Sequence, residues 1–389
     1  MPNKRNAHGS GTIRKRKDGL WEARVTTGHN PLTGKSVRKS IYGKTQKEVR
    51  EKLTQLTLEV DTGTFTEPSK LTVGQWIDIW VSEYLGDVKP NTVTKYKSRC
   101  NLHIKPALGM VKLVELSAHT VQTFINRLQK SSDQKESMKP KTIKDLHGVL
   151  HRALQQAVEI GYIKFNPSDA CKLPRVDRKE VQPLDEDEIT AFLAAIHGHK
   201  HETIYLVTLF TGIRQGEALG LSWAAVDFKQ GTITIDRQLQ RNRDAKTWEI
   251  VTPKNNKARR ITPAQSVMTA LWEWRQIQMQ WRVKAGVAWS ESGLVFTDEL
   301  GKHLTSEMIR KPFKKIVADI GIPESRFHDL RHSYAVAALS SGDDIKTVQK
   351  NLGHHTAAFT LDTYGHVTEK MEKESAARME NFIKKRKAT

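Results

Sequence analysis

The chain has 389 residues, and 63 lysines and arginines against 43 aspartates and glutamates give it a formal charge of +20 at pH 7. The length predicts two or three domains, and 38% hydrophobic with 27% charged residues is typical of a globular chain. No apolar run predicts a membrane span, the first residues lack the apolar stretch of a secretory signal, and two cysteines, Cys100 and Cys171, favour a reducing interior. We therefore expect a cytoplasmic protein, and we exclude secreted, membrane-embedded and disulfide-built classes.

The positive charge is concentrated at one end of the chain. Residues 1–52 contain fourteen lysines and arginines and four acids, which is half of the net charge. Such a field attracts polyanions, although a basic protein with merely solvated lysines is the alternative. Because the charge is clustered, the sequence favours a nucleic-acid-binding protein.

Short strands and one helix are predicted within this basic segment. Asp18-Gly19 indicates a hairpin turn, and Thr45 with Glu48 indicates a capping box at the start of a helix. We predict a domain over residues 1–66, in which one helix packs on a small three-stranded β-sheet. Its strands are predicted at Thr12–Arg16, Leu20–Thr27 and Lys35–Tyr42.

The remaining chain divides into a helical part and a mixed part. Residues 70–174 show only helical periodicity and predict an all-helical domain, with helices that include Thr120–Leu128 and Thr142–Ile160. Residues 180–389 predict a mixed, mostly helical domain, so the fold class is multi-domain α+β. Its predicted helices are Asp185–Ile196, His201–Phe210, Ala264–Gln280, Thr305–Ile320 and His328–Leu339, and its predicted strands are Thr232–Leu239 and Trp248–Val251.

Three segments of the mixed domain concentrate side chains of types that can act on phosphate. In TGIRQGEALGL, Arg214 follows a tight turn, and Glu217 lies three residues on, where it can orient the guanidinium. In HDLRH, His328 and Arg331 share one helical face. LGHH at 352–355 is followed by DTYGH at 362–366. Each segment alone is weak evidence for phosphate chemistry, because Arg–Glu pairs and tyrosines commonly have only a structural role.

HDLRH also permits a metal interpretation. Two histidines four residues apart on a helix, His328 and His332, are typical zinc ligands. The position of the usual glutamate is held by Asp329, whose arm is shorter, and Arg331 places a fixed positive charge beside the ligands. An anion site is the favoured interpretation, with Arg331 as a bidentate fork and His328 as a proton carrier.

Taken together, the order and spacing of TGIR, HDLRH, LGHH and DTYGH resemble the signature of the tyrosine recombinases, or phage integrases. The resemblance covers the whole chain. It implies an arm-type DNA-binding domain, a SAM-like core-binding domain and a catalytic domain, as in integrases of phages and conjugative transposons. The catalytic residues that it implies are Arg214, Lys254, His328, Arg331, His354 and the nucleophile Tyr364.

Two of these matches leave alternatives open. The segment VTPKNNKARRI offers Lys257 as well as Lys254, and the Pro-Lys context favours Lys254. His355 stands beside His354 and is its rival.

The resemblance implies a reaction on double-stranded DNA without metal or other cofactor. Tyr364 would form a 3′-phosphotyrosine, and a homotetramer on two DNA sites would exchange strands through a Holliday junction. The N-terminal sheet would enter the major groove of arm-type sites, with Arg14, Arg16, Arg24, Arg38 and Lys39 as candidate contacts. Accessory excisionase and DNA-bending proteins are possible partners, and no membrane is involved.

After Tyr364, the sequence predicts a helix over Val367–Lys387. Packing on its own domain and docking on a neighbouring protomer remain equal alternatives for it. Three other functions also remain open. They are a type IB topoisomerase-like enzyme, a DNA-binding regulator without catalysis, and the zinc hydrolase built on His328 and His332.

Overall fold

The computed structural model describes residues 12–29, 33–62, 70–130, 137–177, 182–253 and 256–364, with 376–377, 379–380, 383–384 and 386. The chain forms two compact units, Met1–Val176 and Asp177–Thr389. Small antiparallel sheets accompany a mostly helical chain, which confirms the predicted α+β class. Among the helices of the described residues, none is long and apolar enough to cross a membrane.

The first unit begins with the predicted three-stranded antiparallel sheet. Its order is β1-β2-β3, with β1 at Thr12–Lys15, β2 at Trp21–His29 and β3 at Ser36–Gly43. The predicted hairpin turn is present, because Gly19 has a φ of +85° and its amide donates to the Arg16 carbonyl at 3.1 Å.

Helix α1 (Gln46–Asp61) covers one face of this sheet. Alternate residues of β2 and one stripe of the helix form the core, namely Ala23, Val25, Val49, Leu53 and Leu56. The predicted capping box forms only in part. Thr45 accepts from the Glu48 amide, but the Glu48 carboxylate binds the amide of Lys44, one residue before the position that the box requires.

The rest of the first unit is helical, as predicted. Trp76 and Trp80 are buried in its core, and the Trp76 indole donates to the Ala153 carbonyl at 2.8 Å. This bond fixes the helix that contains Trp76 against the helix that contains Ala153. The helices are α2 (Val73–Glu83), α3 (Pro90–Arg99), which continues through a π-helical turn at Cys100–Ile104 into α4 (Lys105–Leu108), α5 (Ala118–Gln129) and α6 (Pro140–Glu159).

Within its described residues, the second unit has eight helices, numbered α7 to α14. Apolar residues of α12 and α13 form a small cluster of their own, and α7 to α12 contribute to one main core. Phe192, Tyr205 and Phe313 meet there, with ring centroids 5.6 to 6.1 Å apart. The helices are α7 (Glu186–Ile196), α8 (Glu202–Thr211), α9 (Gln215–Gly220), α10 (Gln265–Ala285), α11 (Ser306–Asp319), α12 (Asp329–Ser340), α13 (Ile345–Leu352) and α14 (Ala357–Tyr364).

The strands of the second unit correct one prediction. The segment Thr232–Leu239 is not one strand, because the chain leaves one sheet at Asp236 and Arg237 and enters another. The first sheet has the order β4-β5-β8 and the second pairs β6 with β7. The strands are β4 (Val226–Asp227), β5 (Thr232–Ile235), β6 (Gln238–Arg241), β7 (Trp248–Val251) and β8 (Arg259–Ile261).

Candidate active site

A tight turn between α8 and α9 places Arg214. Helix α8 ends at Gly212, whose φ of +64° is the left-handed conformation that glycine adopts at low cost. Arg214 is the N-cap residue of α9, and Glu217 accepts from both its amide and its guanidinium Nη1, each at 2.8 Å. The predicted pairing of Arg214 with Glu217 is confirmed.

Glu217 binds a second arginine as well. Arg259 Nη1 and Nη2 lie 3.0 and 2.6 Å from Glu217 Oε1 and Oε2, and the carboxylate is fully buried. Burial alone would raise the pKa of Glu217, but the hydrogen bonds and charges of Arg259 and Arg214 outweigh it and lower the pKa to about 2. Glu217, Arg214 and Arg259 are called the Glu217 cluster below.

Arg331 joins the ends of two helices. Its Nη1 donates to the Gly212 carbonyl and its Nη2 to the Leu352 carbonyl, both at 2.6 Å, and the residue is 2% exposed. These carbonyls end α8 and α13, where the helix dipole places partial negative charge. The buried guanidinium therefore holds the two helix ends together.

Arg214 meets the same helix end. Its Nη2 donates at 3.2 Å to the carbonyl of Gly353, the residue after the Leu352 carbonyl that Arg331 binds. Gly353 has a φ of +64° and turns the chain so that His354 follows directly. Two arginines from distant segments thus converge at the end of α13, beside a histidine.

His354 is held in this cationic surrounding. Its Nδ1 lies 3.0 Å from the Thr360 hydroxyl. Burial, followed by the charges of Arg331 and Arg214, lowers the pKa of His354 to about 3. The imidazole is therefore neutral near pH 7 and carries one N–H.

His328 and His332 lie at the start of α12, with ring centroids 4.9 Å apart. Neighbouring atoms desolvate the His328 ring, although the residue is partly exposed, and this lowers its pKa from the ordinary 6.5. The positive charge of Arg331 lowers it further. Burial lowers the pKa of His332 to about 4. Both rings are therefore neutral near pH 7, and His328 is available as a proton acceptor.

Asp329, which the zinc interpretation requires as the base, is held by an arginine. It is bound through both oxygens by Arg326, at 2.7 Å from Nη2 and 2.8 Å from the amide. Across the described ranges, no three histidine, cysteine, aspartate or glutamate side chains come together as ligands.

The remaining predicted catalytic residues are only partly visible. Tyr364 is the last residue of α14, and its side chain lies outside the described residues. Lys254 also lies outside them, in the connection between β7 and β8. Lys257, the alternative to Lys254, and His355, the alternative to His354, are both exposed.

The predicted DNA-binding residues of the N-terminal sheet surround a carboxylate. Glu22 Oε2 is 2.6 Å from Arg14 Nη2, and Glu22 Oε1 is 3.0 Å from Arg24 Nε. The bond from Arg14 lowers the pKa of Glu22, which lies under the two arginine side chains rather than in the core. Arg16 pairs with Asp18 at 3.2 Å.

The strand register places the remaining two candidate DNA contacts, Arg38 and Lys39, on opposite faces of the sheet. Arg38 is opposite Thr26, on the face with Arg14, Glu22 and Arg24 that points away from α1. Lys39 is opposite Val25, on the face that α1 covers.

Arg259 was not among the predicted site residues, although the sequence holds a signal for it. Ile261 is buried in the core and Arg260 is exposed, so the alternation of β8 turns Arg259 inward. Its partners lie 42 and 92 residues away along the chain, which no local pattern indicates.

Comparison with known families agrees with this geometry. A model described as the phage integrase family matches residues 182–371, and one for the phage integrase N-terminal SAM-like domain matches residues 72–129. A tyrosine recombinase XerC-like protein of Caldanaerobacter subterraneus subsp. tengcongensis is 30% identical, over 90% of this chain and 93% of its own. The chain belongs to the phage integrase family of tyrosine recombinases. It is therefore a DNA strand transferase for site-specific recombination.

Solved structures share the fold of this recombinase. The Tn1549 transposon integrase in complex with transposon right end DNA has a TM-score of 0.67 and 22% identity, over 79% of this chain and 99% of its own. A lambda integrase tetramer bound to a Holliday junction has a TM-score of 0.53 and 16% identity, over 89% and 96%.

Proposed function

We propose that this recombinase integrates and excises a mobile element through a 3′-phosphotyrosine intermediate, with Tyr364 as nucleophile. The convergence of Arg214 and Arg331 on the adjacent carbonyls of Gly353 and Leu352, directly before His354, is the observation that carries the proposal. It brings both guanidinium groups to the same helix end, at the start of the segment that leads to Tyr364.

The two arginines hold the non-bridging oxygens of the scissile phosphate. A guanidinium is planar and donates in a fixed fork, so Arg214 and Arg331 stabilise the charge of a pentacoordinate transition state. The Glu217 carboxylate and the helix-end carbonyls fix both groups before DNA arrives. In this scheme the arginines supply the positive charge that a metal supplies in other phosphoryl transfer enzymes.

The histidines and the lysine transfer protons and donate a hydrogen bond to the phosphate. Neutral His328 accepts the proton of the Tyr364 hydroxyl as its oxygen attacks phosphorus, and neutral His354 donates its one N–H to the phosphate. Lys254 gives a proton to the 5′-oxygen as the P–O5′ bond breaks. A 5′-hydroxyl of a partner duplex then attacks the phosphotyrosine, which rejoins the strand and releases the tyrosine.

The rest of the chain recognises DNA. We assign residues 1–66 to arm-type sites and residues 70–174 to core sites, with residues 180–389 as the catalytic domain. Arg14, Arg24 and Arg38 share one exposed sheet face and provide phosphate or base contacts, whereas Lys39 lies on the other face.

The assembly is proposed on the pattern of the lambda integrase tetramer on a Holliday junction. Four copies would bind two DNA sites, with the tail helix packed on its own copy or on a neighbour, and excisionase or DNA-bending proteins would assist. With chromosomal DNA as substrate, the protein would work in the bacterial cytoplasm at the nucleoid.

A trapping assay tests the proposal. The full chain is incubated with nicked duplexes from DNA flanking its own gene, with EDTA present, and SDS-resistant adducts are counted. Tyr364→Phe should abolish the adduct. Tyr334→Phe is the matched control, because it removes only a hydroxyl that accepts from the Asn351 side-chain Nδ2 at 2.9 Å. This variant should still form the adduct.

Each other outcome contradicts the proposal in its own way. Specific binding without an adduct would indicate a DNA-binding regulator. An adduct that relaxes supercoils without strand exchange would indicate a topoisomerase-like enzyme, and dependence on metal would indicate the zinc hydrolase.

A further inference from the structure

Arg259, the first residue of β8, is the more deeply buried of the two arginines in the Glu217 cluster. Besides its two bonds to Glu217, its Nε donates to the Asn351 carbonyl at 2.8 Å. Its side chain is only 9% exposed, against 23% for Arg214. Arg214 is therefore the more accessible of the two guanidinium groups, and Arg259 lies beneath it.

Arg259 contacts both of the groups that hold Arg214. The Arg214 side chain donates to Glu217 and to the Gly353 carbonyl. Arg259 binds both oxygens of Glu217. Arg259 also packs against Gly353, so closely that a β-carbon added to this glycine would lie only 3.1 Å from Arg259 Cδ and Nη1. Two residues before Gly353, the Asn351 carbonyl accepts from Arg259.

We infer that Arg259 is a positioning residue for the recombination reaction, and that it immobilises the two groups that aim Arg214 at the scissile phosphate. The inference rests on the role proposed above for Arg214. A carboxylate bound by one arginine alone can turn about its side-chain torsions, and Arg214 would turn with it. The second, bidentate arginine removes this freedom, so the donors of Arg214 need no reorganisation when the phosphate gains charge.

Only an arginine can make these three bonds. The guanidinium fork offers two parallel N–H groups to a carboxylate and a third N–H to a carbonyl, whereas lysine offers a single ammonium on a flexible stem. Arg259→Lys therefore keeps the charge and removes the geometry. The chain also supplies a matched control in Arg260, which follows on the same strand, is exposed, and donates to the Thr232 hydroxyl at 3.2 Å.

The experiment measures single-turnover adduct formation by the full chain on a nicked duplex at saturating DNA. Two scissile linkages are compared, the normal phosphodiester and a methylphosphonate, in which a methyl group replaces one non-bridging oxygen and removes its charge. Arg259→Lys should slow the reaction on the phosphodiester about 100-fold, the loss that a misplacement of about 1 Å produces, with unchanged DNA affinity. On the methylphosphonate, Arg259→Lys should cause a smaller fold-loss in rate, because this linkage presents less negative charge for Arg214 to stabilise. Arg260→Lys should match the wild type on both.

The outcomes separate this inference from its alternatives. An Arg259→Lys rate equal to the wild type would mean that Arg259 acts by charge alone, and equal losses on both linkages would mean a purely structural role. Either result overturns the inference. Absence of a Tyr364-dependent adduct in the wild type would instead overturn the proposed function.

A second measurement tests whether Arg259 acts through Arg214. In a protein that already carries Arg214→Lys, adding Arg259→Gln should cause little further loss in the rate of adduct formation, because Arg259 acts through Arg214. A further loss as large as in the wild-type background would contradict the inference. Circular dichroism of every variant shows whether the helices are retained.

Discussion

The N-terminal sheet and the second unit each place a carboxylate between two arginines, and the surroundings of the two carboxylates differ. Glu22 lies between Arg14 and Arg24, whose side chains are 62% and 52% exposed. Glu217 lies between Arg214 and Arg259, which are 23% and 9% exposed. Exposed arginines suit a long polyanion that approaches from solvent, and buried ones suit a single phosphate that must be held in one geometry. We propose that such a group attracts DNA in one region and holds a phosphate-binding arginine in place in the other.

The largest expected difference comes from removing each carboxylate. Glu217→Ala leaves two largely buried arginines without their counter-ion, and we expect a loss of about 3–5 kcal/mol in the free energy of unfolding, with no adduct formation. Glu22→Ala leaves two arginines that solvent already reaches, and it should lower the free energy of unfolding much less. Urea unfolding followed by circular dichroism measures both, and equal losses would contradict the comparison.

The arginines themselves should separate binding from chemistry. Arg214→Lys is expected to reduce the rate of adduct formation about 100-fold without weakening DNA binding, because lysine lacks the bidentate fork. Arg14→Ala should leave cleavage of a core duplex unchanged. It should lower affinity for arm-type DNA and reduce the slope of log K against log salt by about 1. A cleavage defect in Arg14→Ala would contradict this division.

Acidification should lower the stability of the second unit through its half-buried histidines. The folded pKa values of His332 and His354 are about 4 and 3, below the ordinary 6.5, so the unfolded chain binds more protons between these values. The free energy of unfolding should therefore fall as the pH is lowered from 6.5 towards 4. Glu217, with a pKa of about 2, adds a further loss below about pH 4.5. His332→Asn should flatten the first part of the pH profile in thermal melts, and an unchanged profile would contradict the assignment.

The smallest expected effect tests the two faces of the N-terminal sheet. Arg38→Ala should weaken arm-type DNA binding modestly, because Arg38 shares the exposed face with Arg14 and Arg24. Lys39→Ala should weaken it less, since Lys39 lies opposite Val25 on the face that α1 covers. Fluorescence anisotropy with arm-type duplexes measures both. A larger effect at Lys39 would mean that the other face meets DNA.

Local periodicity was sufficient to predict most of the fold. Buried stripes such as Val49, Leu53 and Leu56 in α1 follow helical spacing, and alternation along β2 places Ala23 and Val25 in the core. The prediction failed where two strands are continuous in sequence. Asp236 and Arg237 break Thr232–Leu239 between two sheets, and the apolar pattern on either side does not reveal which sheet each half joins.

The site was predictable only in part, for a physical reason. Arg214, His328, Arg331 and His354 stand in short motifs, and the pairing of Arg214 with Glu217 is local. The bonds that bring the motifs together are long-range, since Arg331 reaches a carbonyl 119 residues away and Arg214 one 139 residues away. Arg259 enters the cluster by the same kind of contact. Main-chain carbonyls carry no sequence signature, so the structure was needed to find these contacts.

The most direct test of the account is to locate the residue that becomes linked to DNA. Trypsin should release residues 351–370, NLGHHTAAFTLDTYGHVTEK, a peptide with Tyr364 as its single tyrosine. After trapping on a nicked duplex and nuclease digestion, mass spectrometry should find this peptide with a nucleotide remnant on Tyr364. A remnant on any other peptide would contradict the assignment of the nucleophile, and with it the proposed arrangement of Arg214 and Arg331 around the phosphate.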